Sequence, residues 1–188
     1  MPTQKDILAA IATDPDLCDL GYEYAELDRR GYCLWVIDCA QHLFPLAQRH
    51  LTDSEMAQLT SALNCGRQFL DGAADVAAIT DAIAVPRSIA NSYCESNGEI
   101  VQHLAETLEA IANSLELTMP DSKVYHEDVI YAAARAAFDG ELHAADSADT
   151  PEESDCNDLD ELVGSEESDK EMQWQLQALK TRLLETGT

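Results

Sequence analysis

Cys39 and His42 are the first residues whose types and spacing could do chemistry. On a helix, residues three apart share a face, so the pair offers two metal ligands or a nucleophile beside a base. His103 or the His126-Glu127 dipeptide would have to complete such a set from elsewhere in the chain. A structural zinc site takes four ligands at recognisable spacings, and these four positions have no such spacing. A cysteine inside an apolar helical stripe is far more often a core residue than a nucleophile. The sequence also lacks Gly-x-Gly-x-x-Gly, a Walker loop, Gly-x-Ser-x-Gly and His-Glu-x-x-His. Carboxylates abound without a pattern that selects a catalytic pair. The expectation is a protein that is not an enzyme and needs no metal or cofactor.

Asp38, beside Cys39, asks a different question. It is the one carboxylate between Arg30 and His42, in a stretch that otherwise reads as core. Burying an unpaired carboxylate is costly, so it must be paired, hydrogen-bonded or exposed. His42, one turn on, is a candidate partner, as are Arg67, Arg87 and Arg135 from later helices.

The element that positions these residues spans 32–51. Cys33, Val36, Ile37, Ala40, Leu43, Phe44 and Ala47 fall on one helical face, and Leu34, Trp35, Cys39 and Leu46 cover much of the other. A helix apolar nearly all round is either a central core helix or a membrane span. Crossing a bilayer takes about 20 unbroken apolar residues, and Asp38, Gln41, His42, Gln48 and Arg49 interrupt this run. It reads as a core helix, starting near Asp28 and kinking or ending close to Pro45.

Other helices follow from caps and spacing. Thr3-x-x-Asp6 opens a first short helix, Asp14-Pro15 marks a break, and 14–27 is a mixed stretch without a clear assignment. Thr52-Asp-Ser-Glu55 is a capping box for a helix closed by Gly72. A run from Ala74 to Val85 is interrupted by Pro86. Glu99 to Leu117 carries a buried stripe of Val101, Leu104, Leu108, Ile111 and Leu115. Glu99, Glu106, Glu109 and Glu116 lie outside it, with no Lys or Arg in the segment, and are the candidate partner-binding residues. A further helix is expected from 121 or 122 to about Phe138. Residues 145–167 are acidic, aperiodic and free of basic residues, which predicts a mobile linker. Ser168-x-x-Glu171 would then cap a final amphipathic helix, 168–188, docking on a bundle formed by 1–144.

The fold class expected is all-α, a single irregular bundle of about six to eight helices. Its 188 residues allow one sizeable core. A charge of −25, from 36 acidic and 11 basic residues, repels phosphate and argues against nucleic acid as a partner. The opening Met-Pro-Thr-Gln-Lys-Asp-Ile-Leu has no basic start followed by an apolar core, and the six cysteines are scattered. Both features lead to the expectation of a cytoplasmic protein with reduced thiols and no membrane contact.

Trp35-Val-Ile-Asp38-Cys39-Ala40, followed by Leu43 and Pro45, resembles the Trp-x-x-Asp-Cys-Ala signature of the Imm5-type immunity proteins that accompany bacterial polymorphic toxins. Arg67-Gln-Phe-Leu-Asp-Gly72 is similar to that family's Arg, aromatic and Gly block. Met172-Gln-Trp174-Gln175-Leu176 is similar to its closing Trp-Gln-Leu helix. The resemblance implies an all-helical protein that neutralises a cognate toxin, with Trp35, Asp38, Cys39, His42, Arg67 and Trp174 as motif residues. The acidic surface suits a basic toxin domain, a nuclease being the first candidate, bound in a stoichiometric complex. An acidic helical scaffold or adaptor unrelated to toxins is the alternative, and an enzyme with an unrecognised site the third reading.

Overall fold

The computed structural model of the chain describes residues 1–13, 16–93, 99–122, 124, 129 and 166–186. Every regular element among them is a helix: α1 (Gln4–Thr13), α2 (Leu17–Leu27), α3 (Arg29–His42), α4 (Phe44–Gln48), α5 (Asp53–Leu70), α6 (Val76–Tyr93), α7 (Glu99–Glu116) and α8 (Glu166–Thr186). The fold is an all-α bundle. The helix expected after residue 121, with Arg135 on it, and nearly all of the acidic stretch 145–167 lie outside the described residues.

The helices start and stop where local hydrogen bonding satisfies their ends. In α1, Asp6 accepts from the Thr3 amide and hydroxyl at 2.9 and 2.6 Å. Asp16 caps α2 by accepting from the amides of Cys18 and Asp19. This turns the acidic stretch that periodicity could not assign into a helix, with Leu17, Leu20 and Tyr24 buried. Thr52 and Glu55 form a full capping box on α5. At its other end Gly72 takes φ +73°. Its amide donates to Phe69 and that of Ala73 to Gln68, the paired bonds of a Schellman turn that a side chain at this φ would strain.

Two boundaries differ from the sequence reading. Pro86 does not interrupt its run: α6 continues through it to Tyr93. Proline removes one backbone bond and crowds the preceding turn. Here its ring is buried in a helix packed between α5 and α7, and that packing outweighs the local cost. The last helix begins at Glu166, so Ser168 lies inside it and is not its cap.

The chain turns at Leu43 between α3 and α4, two residues before Pro45. α3 is the plank shared by two cores. Tyr32, Cys33, Trp35, Val36 and Cys39 pack with Ile7, Leu17, Leu20 and Tyr24 of α1 and α2 and with Leu179 and Leu183 of α8. Ile37 and Ala40 pack with Leu59, Leu63, Ile79, Leu108, Ile111 and Leu115 of α5, α6 and α7. That two-sided burial explains why its apolar residues run almost round the helix. The end of α7 is held against α3 by Arg29, whose guanidinium donates to the Leu117 carbonyl, and by the Cys33 thiol, 3.5 Å from the same oxygen. A cation there also complements the negative end of the helix dipole.

The α5 cap makes a pH prediction. Hydrogen bonds from Thr52 hold the Glu55 carboxyl below its ordinary 4.5. Its contribution is therefore complete above about pH 4.5 and is lost as pH falls through the depressed value of the folded state. In thermal melts, Glu55→Gln should lose less stability than the parent between neutral and acid pH. Thr52→Ala should cost about 1 kcal/mol at neutral pH.

Candidate functional site

The three sequence blocks that carry the resemblance meet in space, along the seam where α8 lies on α3. Trp35 is fully buried and its indole Nε1 donates to the backbone carbonyl of Gln175 at 3.0 Å. One turn further along α3, Asp38 receives arginines from two different helices. Arg67 of α5 reaches Oδ1 at 3.1 Å, while Arg182 of α8 puts Nε 2.7 Å and Nη2 2.6 Å from Oδ2. Arg67 also donates to Gln41 at 2.6 Å, and Arg182 to Glu185 at 2.9 Å. One carboxylate thus ties α3, α5 and α8 together.

At the end of α3, His42 Nδ1 lies 2.8 Å from Oε2 of Glu171, and the imidazole is stacked on the Trp174 ring, 3.7 Å between centroids and 3° from parallel. The other oxygen of Glu171 accepts from the Gln175 amide at 2.9 Å. Glu171 is only 6% exposed, so its charge is nearly withdrawn from water.

Of the partners weighed for Asp38, Arg67 is one. His42 turns instead to Glu171, Arg87 lies on α7's acids, and Arg135 is outside the described residues. Arg182, Glu171 and Gln175 were missed because Ser168-x-x-Glu171 was read as a cap, which assigns Glu171 to the helix end. The spacing held the signal: Glu171, Gln175 and Arg182 fall at i, i+4 and i+11, along the same side as the apolar stripe. Polar residues on that side need partners.

Cys39 is fully buried, and burial, reinforced by the charges of Glu171 and Asp38, pushes its thiol well up. Burial likewise raises Cys33, to about 11. Both are poor nucleophiles, because the thiolate is the reactive form. Two grooves among the described residues leave this unchanged. One of about 430 Å³ is walled by Asp38, Trp174, Arg182 and Glu185, without His42 or Cys39, and lies open to solvent. The other, about 670 Å³, lies between α6 and the end of α7. Among the described residues, no group of three His, Cys, Asp or Glu side chains is arranged to hold a metal ion.

The candidate partner-binding acids of α7 are divided. Glu109 and Glu116 reach across to Arg87 of α6 at 3.3 and 2.8 Å, so they fasten one helix to the next. Glu106 is half-buried, and Glu99 is the first residue of α7, its side chain outside the described set. No helix among the described residues is long and apolar enough to cross a membrane. Compared with protein-family models, curated proteins and solved structures, the chain matches none.

Two predictions come from this geometry. Asp38 is 23% exposed and its arginines 26% each, between a solvated and a buried pair. Asp38→Asn should therefore cost about 1–3 kcal/mol in urea unfolding, and a double-mutant cycle with Arg182→Gln should show coupling. Alkylation of the native protein followed by mass mapping should label Cys18 and Cys65, which are half-buried, and spare Cys33 and Cys39 until the chain unfolds.

Proposed function

We propose that this chain is a non-catalytic acidic binding protein, an immunity protein that neutralises a basic toxin domain by forming a stoichiometric complex with it. The observation that carries the reading is how five of the chain's eleven cations are placed. Arg30 pairs with Asp71, Arg67 and Arg182 with Asp38, and Arg87 with Glu109 and Glu116, while Arg29 caps α7. These positive charges are held by internal partners, while Asp19, Glu23, Glu26, Asp53, Asp75 and Asp81 lie at least partly exposed on the helices and turns. With a net charge of −25 the outward field is acidic, and it steers a cationic surface into encounter while repelling phosphate.

The resemblance of the Trp35–Ala40, Arg67–Gly72 and Met172–Leu176 blocks supplies the toxin. That these blocks form one seam supports reading them as a unit. A nuclease domain fits the charge, since such domains are basic in order to hold phosphate. The raised, buried thiol of Cys39 favours binding over catalysis.

The test is co-expression with the toxin encoded beside the gene, together with binding of the two purified proteins. Protection of cells and a 1:1 complex are expected. The association rate should fall several-fold between about 50 and 300 mM salt, as electrostatic steering is screened. A complex with an unrelated housekeeping protein and no protection would favour the scaffold reading.

A further inference from the structure

Between α6 and the end of α7 the surface carries a groove of about 670 Å³, with an apolar floor and carboxylates at its edge. We propose, on the reading of the chain as a binder of a basic protein, that this groove is where the partner docks. It takes a row of apolar side chains from the partner, and Asp121 receives a Lys or Arg beside that row.

Local structure makes the groove. α6 presents Thr80, Ala84 and Ser88 at intervals of four residues, so one exposed line along the helix carries only short side chains. Beyond Glu116 the chain folds into a turn, in which the amide of Thr118 donates to Leu115, that of Met119 to Glu116 and that of Ser122 to Met119. The turn sets Met119 and Asp121 against α6. Ile83 and Met119 pack on the core of α5, α6 and α7 yet stay partly exposed, which makes them the floor. A flexible methionine there adapts to differently shaped apolar side chains. From Thr80 to Asn91 the lining follows about 16 Å of helix, long enough for more than one apolar anchor of a partner segment.

Charge selects the occupant. Arg87 is the only cation lining the groove, and Glu109 and Glu116 already share it at 3.3 and 2.8 Å. Asp121 is exposed and holds no ion pair among the described residues. The edge therefore carries more carboxylate than guanidinium, which attracts a cationic segment and repels an acidic one. An apolar centre within a polar rim is the ordinary anatomy of a protein-binding surface.

Binding of the intact chain to the purified toxin domain encoded beside the gene tests this. With the methionine methyls isotope-labelled, the Met119 nuclear magnetic resonance signal, assigned by Met119→Leu, should shift on complex formation. The signals of Met56 and Met172, which do not line the groove, should stay in place. Ala84→Trp fills the groove from an exposed position, and it should weaken the complex about tenfold or more with an unchanged melting temperature. Asp121→Lys should slow association several-fold, and Asp19→Lys on α2, an equal change of charge on another helix, should slow it less. Lys123→Gln, which removes the cation nearest in sequence, should leave the complex as tight or tighter. A parent that forms no complex overturns both the groove and the basic partner. Where the parent does bind, the groove alone is overturned by any of four results: an unmoved Met119 signal, undiminished binding by a stably folded Ala84→Trp, equal slowing by the two lysine variants, or weaker binding by Lys123→Gln. The methyl signal decides the matter even where a variant is destabilised.

Discussion

The bundle depends on one constraint: α3 is apolar on two sides, so it must be covered on two sides at once. α5, α6 and α7 form one cover, and α1, α2 and α8 the other. Neither group alone would remove enough of α3 from water, and hydrophobic burial is the dominant favourable term in folding. The order of the chain follows from this need. The N-terminal helices and the far C-terminal helix share one face, so the two ends of the sequence come together around Trp35. Gln4 and Leu183 are hydrogen-bonded across that distance in sequence.

Apolar covering alone would leave the placement of α8 loosely specified. Its stripe of Met172, Leu176, Leu179 and Leu183 repeats every three to four residues, so a shift by one turn would still bury leucine. The polar pairs remove that freedom. Asp38 with Arg182, His42 with Glu171, and the Trp35 indole with the Gln175 carbonyl fix both register and rotation. A shift would strand a half-buried guanidinium and a buried carboxylate, and such penalties are how polar groups in a core select one arrangement over others. The same groups that look like a candidate reactive cluster in the sequence act in the fold as an alignment device.

Much of this was legible before the structure. The all-α class, the core role of 32–51 and the caps at Thr3, Thr52 and Gly72 rest on local rules, and local rules are what a single sequence expresses most directly. The need for Asp38 to have a partner was also legible, because desolvation makes the need independent of fold. Which partner it has was only half legible. Arg67 stood among the candidates, whereas Arg182, 144 residues away in sequence, depends on the packing of α8, which no local pattern encodes. Pro86 was misread because its local preference is to break a helix, and helix packing overrode it. Asp16 was missed because an acidic run hid a cap within ordinary surface charge.

Trp35 and Trp174 are the chain's two tryptophans, and both belong to the contact between α3 and α8. Intrinsic fluorescence is therefore a local observable in this protein. One indole is sealed in the core beneath α8 and the other is stacked on an imidazole, while the layer built from α5, α6 and α7 carries no indole. An emission spectrum reports whether the last helix is seated and says little about the rest. Circular dichroism samples every helix. Comparing the two signals through one denaturation separates the seating of α8 from the melting of the bundle, with no label added.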